Sequence, residues 1–297
     1  MPLLSLPPPL RPGDRVRPVA ASSALEEAGR LEAGLALLAS WGLVVDPRPE
    51  LPSRRWGYLA GSDAERAADL GSPAALHACV RGGWGAARLL EQPLAQPQGW
   101  LLGFSDVTSL LWARLAQGQP GGVHGPLLTT LAAEPLWSQE RLRTLLFAGV
   151  VPHLEGVGWR AGVAEGPLLV ANLTVATHLL GTPYLPALTG AIRVLEDVGE
   201  APYRIERMLT QWRRCGALQQ LAGIGFGSFE GWREADARVD EPVEHRFDLE
   251  QVLRERTLDL GIPVVAHLPV GHSAGNAALP LGVPARLDGG RGRLALL

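Results

Sequence analysis

The stretch "WLLGFSDVTSLLWARLA", residues 100–116, joins an apolar run to a helix-like pattern at a single serine. Residues 100–104 read as a buried strand, and the apolar residues after Ser105 recur with helical spacing. A serine at such a junction is most simply an N-cap, whose oxygen accepts a hydrogen bond from the first helical turn. A strand–helix junction can also hold a nucleophile at the end of a strand. The stretch alone leaves both interpretations open.

Composition limits the classes of protein that the chain can belong to. Its 297 residues, 46% of them hydrophobic, are enough for two domains or for one large α/β unit. The net charge is −3 and nothing in the sequence resembles the basic face that nucleic acid requires, so we expect no nucleic-acid partner. Two cysteines, Cys79 and Cys215, are too few for a disulfide framework and indicate a reducing compartment.

Targeting signals are not evident in the sequence. The prolines of residues 1–16 interrupt any apolar core there, so this segment does not read as a signal peptide. No run of about 18 apolar residues occurs, so a membrane span is not expected. The sequence therefore predicts a cytoplasmic protein.

Strand-like and helix-like patterns alternate over residues 14–116, which predicts a parallel sheet with helices packed on it. "DRVRPVAASS" (14–23) and "LVVDPRP" (43–49) read as strands around a helix over 25–41. "SDAERAADL" (62–70) begins with Ser62 and has Glu65 three residues later, a capping-box pattern. "SPAALHACV" (72–80) is interpreted as a further helical piece before the strand at 100–104.

The second half repeats this mixed pattern after a glycine-rich stretch without a clear period. We predict an N-terminal α/β domain over 1–148, a linker over 149–166 and a smaller C-terminal α/β domain over 167–297. Helices are expected at "ANLTVATHLLG" (171–181) and "YRIERMLTQWRRCGAL" (203–218). Strands are expected at "AIRVLEDVGE" (191–200), "LAGIGFGSF" (221–229) and "GIPVVAHLPVGH" (261–272).

Three reactive side chains occupy predicted strand ends, where ligands gather in open α/β sheets. Ser105 follows "WLLGF", Glu196 follows "AIRVL" and His272 follows "PVVAHLPVG". A serine hydroxyl becomes a good nucleophile when histidine takes its proton, and a carboxylate orients the histidine. Each side chain also has an ordinary structural explanation, as cap, surface charge and loop histidine, and "GFSDV" departs from the G-x-S-x-G motif.

Acyl transfer also needs two donors for the developing oxyanion. The backbone N–H of Asp106, at the start of the predicted helix, is placed to be one of them. The turn "RGGWG" contains Gly82 and Gly83, which allow close backbone approach, and Gly83 is the candidate for the second donor. A glycine-rich sequence such as "RGGWG" most often forms a tight turn without a catalytic role. It lacks the lysine of a P-loop, and no His/Cys cluster has zinc spacing, so neither a cofactor nor a metal is expected.

Taken in order, these segments resemble the LD-carboxypeptidase family of serine peptidases, which includes murein tetrapeptide carboxypeptidases and microcin-immunity peptidases. The resemblance covers most of the chain and rests on eight segments in family order. They are "GDRVRPVAASS", "YLAGSDAERAADL", "RGGWGAARLL", "LLGFSDVTSLL", "VHGPL", "ANLTVATHLLGTPYLP", "IRVLEDVGEAPYRIERML" and "LPVGHSAGNAALPLGVPARLD".

The resemblance implies that Ser105 is the nucleophile, Glu196 the orienting acid and His272 the base, in a cleft between two domains. It implies hydrolysis of the L,D-amide to a terminal D-alanine of a murein tetrapeptide, during peptidoglycan recycling, by a homodimer without a cofactor. Val170 and Ala171 stand where the family usually has two glycines, a departure that puts the preferred peptide in doubt.

Several points stay open from the sequence. A free substrate carboxylate needs a cation, and Arg81, Arg204 and Arg207 are near the predicted site, without an assignment among them. His124 in "VHGP" either shapes the pocket floor or is only structural. One alternative is a microcin-immunity-type hydrolase of peptidyl or aminoacyl nucleotides, for which Trp84 is a candidate stacking residue. The other is a non-catalytic protein that binds murein peptides.

Overall fold

The structure is a computed structural model that describes residues 3–95, 97–231 and 248–297. Its strands, in chain order, are β1 (Arg15–Val19), β2 (Val44–Val45), β3 (Leu76–Cys79), β4 (Trp100–Gly103), β5 (Gly122–His124), β6 (Leu154–Glu155), β7 (Val157–Arg160), β8 (Val163–Asn172), β9 (Ile192–Val198), β10 (Gly223–Glu230), β11 (Val264–Ala266), β12 (Leu279–Pro280), β13 (Pro284–Asp288) and β14 (Arg293–Leu296). Its helices are α1 (Ala28–Ser40), α2 (Asp63–Gly71), α3 (Thr108–Ala116), α4 (Leu128–Leu131), α5 (Leu136–Ala148), α6 (Leu173–His178), α7 (Pro202–Arg214) and α8 (Leu249–Thr257).

The first sheet has the strand order β12-β5-β4-β3-β1-β2. The pairs from β5 to β2 are all parallel, and only the edge strand β12 is antiparallel to its neighbour. The central strands β3 and β4 are buried along their whole length, as expected of parallel strands covered on both faces. The predicted parallel sheet flanked by helices is therefore confirmed.

The second sheet has the order β6-β14-β13-β8-β9-β10-β11-β7. Its centre, β8 to β11, is parallel, and antiparallel strands extend it on both sides. The amphipathic pattern of α7 explains its packing, because Ile205, Leu209 and Trp212 lie on one face and are fully buried. The mixed α/β fold expected for the second half is thus present.

Local signals in the first half work as the sequence suggests. The Ser62 side chain accepts from the Glu65 N–H at 3.3 Å, and the Ser62 N–H donates to the Glu65 carboxylate at 2.8 Å. This reciprocal capping box starts α2 at the predicted residue.

Two stretches differ from the sequence prediction. The predicted helical piece at 72–80 is the strand β3, and the helix prediction there is wrong. Short apolar runs do not separate a buried strand from a buried helix by periodicity, and here pairing with β1 and β4 decides. The predicted linker over 149–166 contains β6, β7 and the start of β8. Its glycines allow close packing, since a Cβ on Gly156 or Gly166 would strike a backbone carbonyl.

The two sheets are joined through side chains as well as through the chain. The Trp112 indole of α3 donates to the Val170 carbonyl of β8 at 2.9 Å, and the Asn172 N–H donates to the Thr108 hydroxyl at 3.2 Å. A single buried apolar cluster includes residues from α3, β8 and β9. The carboxyl ends of the parallel strands of both sheets are thereby held close to each other.

Candidate active site

Ser105 follows β4 in a strained backbone conformation. Its φ is +61°, and His267 is the only other non-glycine residue in the described part of the chain with a positive φ. The left-handed region costs a side-chain-bearing residue on the order of 1–2 kcal/mol, so the surroundings must hold Ser105 there. Its side chain makes no capping bond, and the N-cap of α3 is Val107. The simple N-cap interpretation of the serine is therefore not supported.

The glycine turn after β3 lies directly against this serine. A Cβ added to Gly82 would lie 3.0 Å from both the Cβ and the Oγ of Ser105, and 3.7 Å from the Asp106 nitrogen. Gly83 has a φ of +102°, and a Cβ there would strike the Ser23 side chain. The Gly83 N–H donates to no acceptor among the described residues, so it is free to meet a ligand.

The Asp106 side chain helps to hold the glycine turn in place. Its carboxylate is buried and accepts from the Ala86 N–H at 2.8 Å, while the Arg66 guanidinium donates to the Gly85 carbonyl at 2.7 Å. Burial raises the pKa of the Asp106 carboxyl, and the bond from Ala86 acts in the opposite direction. The turn is thus held on both sides by buried polar side chains.

Glu196 comes from the second sheet, and His272 comes from the loop that joins β11 of that sheet to β12 of the first sheet. Both side chains lie close to the serine. Glu196 belongs to β9 and is fully buried, and its Oε2 lies 2.7 Å from Nδ1 of His272. The Nε2 of the same ring lies 3.2 Å from the Ser105 Oγ. The carboxylate favours the tautomer with a proton on Nδ1, which leaves Nε2 as the acceptor for the serine hydroxyl. The ring also lies against Phe104, with centroids 4.7 Å apart.

Two glycines make room for the buried acid. A Cβ on Gly271, whose φ is +127°, would lie 3.0 Å from the Glu196 Oε2 and would strike the Ser228 hydroxyl. A Cβ on Gly227 would strike the Val270 carbonyl. The loop that carries the histidine can therefore pass directly over the acid.

The histidine loop is tied down at several points that the sequence analysis missed. The His272 N–H donates to Ser228 Oγ at 3.1 Å, and the Gly271 N–H donates to Asn276 Oδ1 at 3.0 Å. Glu134, from the first half, accepts from the N–H groups of Gly275 at 2.7 Å and Asn276 at 3.1 Å. Burial raises the pKa of Glu134, and these two bonds oppose the rise. Glu134 and Gly275 are 141 positions apart, and no local sequence pattern links residues at that distance, so the sequence does not predict this contact.

His124 lies at the end of β5 and is fully buried. Neither ring nitrogen has a hydrogen-bond partner among the described residues, and the ring meets Phe104 edge-on. Burial, together with repulsion from His272, lowers the pKa of His124 to about 3. The imidazole therefore stays neutral beneath the site.

A cleft of about 250 Å³ opens over Ser105 and His272, and Gly82 and Gly83 also line it. Val170 and Ala171, which stand where the family usually has glycines, are fully buried in β8, and their side chains do not line this cleft. Trp84 is 45% exposed and is also absent from the lining. A larger cavity of about 340 Å³, beside Trp159 and Phe226, contains none of the three reactive side chains.

Residues 3–95, 97–231 and 248–297 contain no cluster of three His, Cys, Asp or Glu side chains arranged to hold a metal ion. They contain no helix that is long and apolar enough to cross a bilayer. The site as described thus consists of a hydroxyl, an imidazole and a carboxylate in a row, with a glycine turn beside the hydroxyl.

Comparison with known proteins gives consistent matches over both halves. A family model described as LD-carboxypeptidase N-terminal domain matches residues 16–125, and one described as LD-carboxypeptidase C-terminal domain matches residues 165–287. A Synechocystis protein that is provisionally named a carboxypeptidase is 46% identical, with 98% of this chain and 97% of that protein aligned. The murein tetrapeptide carboxypeptidase of Pseudomonas aeruginosa is 38% identical, over 80% of this chain and 81% of the relative.

Solved structures match across nearly the whole length. The crystal structure of a muramoyltetrapeptide carboxypeptidase from Oxalobacter formigenes superposes with a TM-score of 0.82 at 25% identity, covering 95% of this chain and 97% of that one. The microcin C7 self-immunity protein superposes with a TM-score of 0.85 at 20% identity, covering 98% of both chains, which is a likeness of fold.

Proposed function

This chain belongs to the LD-carboxypeptidase family, and from that premise we propose that it is a serine peptidase acting on murein peptides. The substrate is a murein tetrapeptide, and the bond cleaved is the L,D-amide to its terminal D-alanine. The observation that carries the proposal is the continuous row from Ser105 through His272 to Glu196, with atoms 3.2 and 2.7 Å apart. The names of the Pseudomonas and Oxalobacter relatives support the substrate class.

In the first step, His272 Nε2 takes the Ser105 proton while Oγ attacks the amide carbonyl carbon. Glu196 keeps the ring in the required tautomer and stabilises the imidazolium that forms. Because Glu196 is fully buried, its attraction to the imidazolium is screened by water less than it would be on the surface.

The oxyanion of the tetrahedral intermediate is held by the backbone N–H groups of Asp106 and Gly83. Both lie beside the serine, one at the helix start that follows it and the other in the adjoining glycine turn. Donors fixed in advance at the position of the developing charge contribute roughly 3–4 kcal/mol each to the lowering of the barrier.

Collapse of the intermediate breaks the C–N bond, and the imidazolium gives its proton to the leaving D-alanine nitrogen. Water then attacks the acyl-serine, with His272 again acting as the base, and this releases the shortened peptide. The scheme uses only groups of this chain and would serve the recycling of peptidoglycan.

The direct test is mass spectrometry of disaccharide-free murein tetrapeptide incubated with the protein. Wild-type protein should remove one alanine, and Ser105→Ala protein should remove none on the same timescale. Release by the variant at the wild-type rate would refute the assignment of Ser105 as nucleophile.

A microcin-immunity-type activity on aminoacyl nucleotides is the competing proposal, supported by the shared fold. Trp84 does not line the cleft over Ser105, so it gives no support for a nucleobase stacked there. Parallel turnover assays on a murein tetrapeptide and on an aminoacyl nucleotide analogue distinguish the two.

A further inference from the structure

One wall of the cleft over Ser105 carries charged side chains that the catalytic scheme does not use. They are Glu26, Glu27, Arg30 and Arg81. The two cations differ in their surroundings, because the Arg30 side chain is 63% exposed and the Arg81 side chain only 25%. Arg30 pairs with Glu27 three residues before it, whereas Arg81 directly precedes the glycine turn that touches the serine.

Of the two hydrogen-bond partners of the Arg81 guanidinium, one is fixed and the other can be replaced. Its Nη1 donates to the Ala24 carbonyl at 2.8 Å, a fixed backbone partner, and to the Glu26 carboxylate at 2.8 Å. The Glu26 side chain is 74% exposed, and ion pairs with so exposed a partner contribute little to stability. Another carboxylate can therefore take the place of Glu26 without a large cost.

The proposed substrate brings such a carboxylate to this place. Its terminal carboxylate is joined to the Cα next to the scissile nitrogen, so it lies within about 4 Å of the carbon that Ser105 attacks. A guanidinium binds a carboxylate through two parallel hydrogen bonds, which fixes both its charge and its direction. The Arg81 Nη2 atom lies 3.8 Å from where a Cβ of Gly83 would be, so the guanidinium borders the turn that faces the serine.

We propose that Arg81 binds the terminal carboxylate of the substrate and that Glu26 occupies this position while the cleft is empty. The inference rests on the proposed function. Arg81 then decides specificity, because a peptide without a free carboxylate leaves its guanidinium paired with Glu26. Glu26 keeps the guanidinium oriented until substrate replaces it.

The test compares two substrates that differ only at this group, a peptide ending in L-centre–D-alanine and the same peptide ending in D-alaninamide. In wild-type protein kcat/KM should favour the free acid. Arg81→Gln should lower this acid-to-amide ratio by roughly 10- to 100-fold, mainly through KM for the acid, because one charge-assisted pair is lost. Arg81→Lys should restore part of the ratio. Labelling of Ser105 by a fluorophosphonate, which lacks a carboxylate, should continue at the wild-type rate.

Matched variants separate binding from simple support of the turn. Arg30→Gln removes an exposed cation from the same wall and should leave the ratio unchanged. Glu26→Gln should lower KM for the free acid by a few-fold and leave the amide unaffected; an unchanged KM would overturn the placeholder role of Glu26.

The outcomes also separate this inference from the proposed function. An unchanged ratio in Arg81→Gln, or an equal loss on acid, amide and fluorophosphonate, overturns the role of Arg81 while the peptidase activity stands. If the wild-type protein releases neither D-alanine from the acid nor D-alaninamide from the amide, the proposed function is overturned, and the assignment of Arg81 with it.

Discussion

The Nε2 atom of His272 lies 3.2 Å from the Oγ of Ser105, although the two residues are 167 positions apart and follow strands of different sheets, β11 and β4. The contact depends on the strained φ of the serine and on a histidine loop tied to both halves of the molecule. The contact between the serine hydroxyl and the imidazole therefore depends on both halves of the fold.

The three residues in the row should differ in how much activity their loss removes. Ser105→Ala and His272→Ala should lower kcat for D-alanine release by on the order of 10⁴–10⁶-fold, and Glu196→Gln by less, because the base remains. A thermal melt close to that of wild type shows that each variant is folded. A folded His272→Ala protein with normal kcat would show that another base acts.

The close approach of the glycine turn predicts a loss of activity in Gly82→Ala. The added methyl would lie 3.0 Å from the Ser105 Cβ and Oγ, so the serine must give way by a few tenths of an ångström. Because a misplacement of about 1 Å can cost about 100-fold, this smaller shift should lower kcat by about 10-fold or less. Gly29→Ala in α1 is the matched control, since a Cβ there meets nothing within 4 Å. Equal kcat in both variants would contradict the role of the turn.

Glu134 should act as a positioning residue for the histidine loop. Glu134→Ala removes the acceptor of two backbone N–H groups and should lower kcat roughly 10- to 100-fold with little change in KM. Glu134→Gln keeps a carbonyl acceptor and should recover part of the loss. Glu140→Ala, an exposed acid in α5, is the control and should leave kcat unchanged. A loss in KM alone would argue against positioning.

The buried His124 should make stability depend on pH. Its pKa is lowered to about 3 in the fold, so between about pH 6.5 and pH 3 the unfolded chain binds a proton that the native state does not. Stability from this group is therefore complete above about pH 6.5 and falls by roughly 1.4 kcal/mol for each pH unit below it.

Urea unfolding of His124→Gln at pH 7.5 and pH 5.0 checks this expectation. The loss of unfolding free energy between these pH values should be about 2 kcal/mol smaller than in wild type. Val123→Ala, which weakens the core without removing a titratable group, should lower stability equally at both pH values. An identical pH dependence in His124→Gln and wild type would refute the prediction.

The sequence predicts the parts of this molecule that local patterns encode. The capping box at Ser62, the strand before Ser105 and the amphipathic helix α7 are present as expected. The helix prediction for residues 72–80 is wrong because a short buried strand has no alternation of apolar and polar residues that would identify it. The strands within 149–166 are not predicted for a related reason, since their glycines pack against the backbone of distant parts of the chain.

The site divides in the same way. Positions at predicted strand ends make Ser105, Glu196 and His272 candidates, and the family resemblance implies their roles. Support from Ser228, Asn276 and Glu134 depends on hydrogen bonds between chain segments, and two of these residues lie outside any motif that the sequence analysis singled out for chemistry. The strained φ of Ser105 is likewise imposed by the folded surroundings, and the residue type does not encode it.

The edge strand β12 has a consequence for ligand entry. It follows the histidine loop and pairs with β5, after which the chain returns to the second sheet as β13. The segment that carries His272 is thus fixed at one end to each sheet, and separating the two sheets would break the pairing of β12 with β5. Peptides should accordingly be admitted by rearrangement of short surface segments over a rigid frame. Inhibitors of this cleft can then be designed against a fixed scaffold, with freedom given only to side chains such as Glu26.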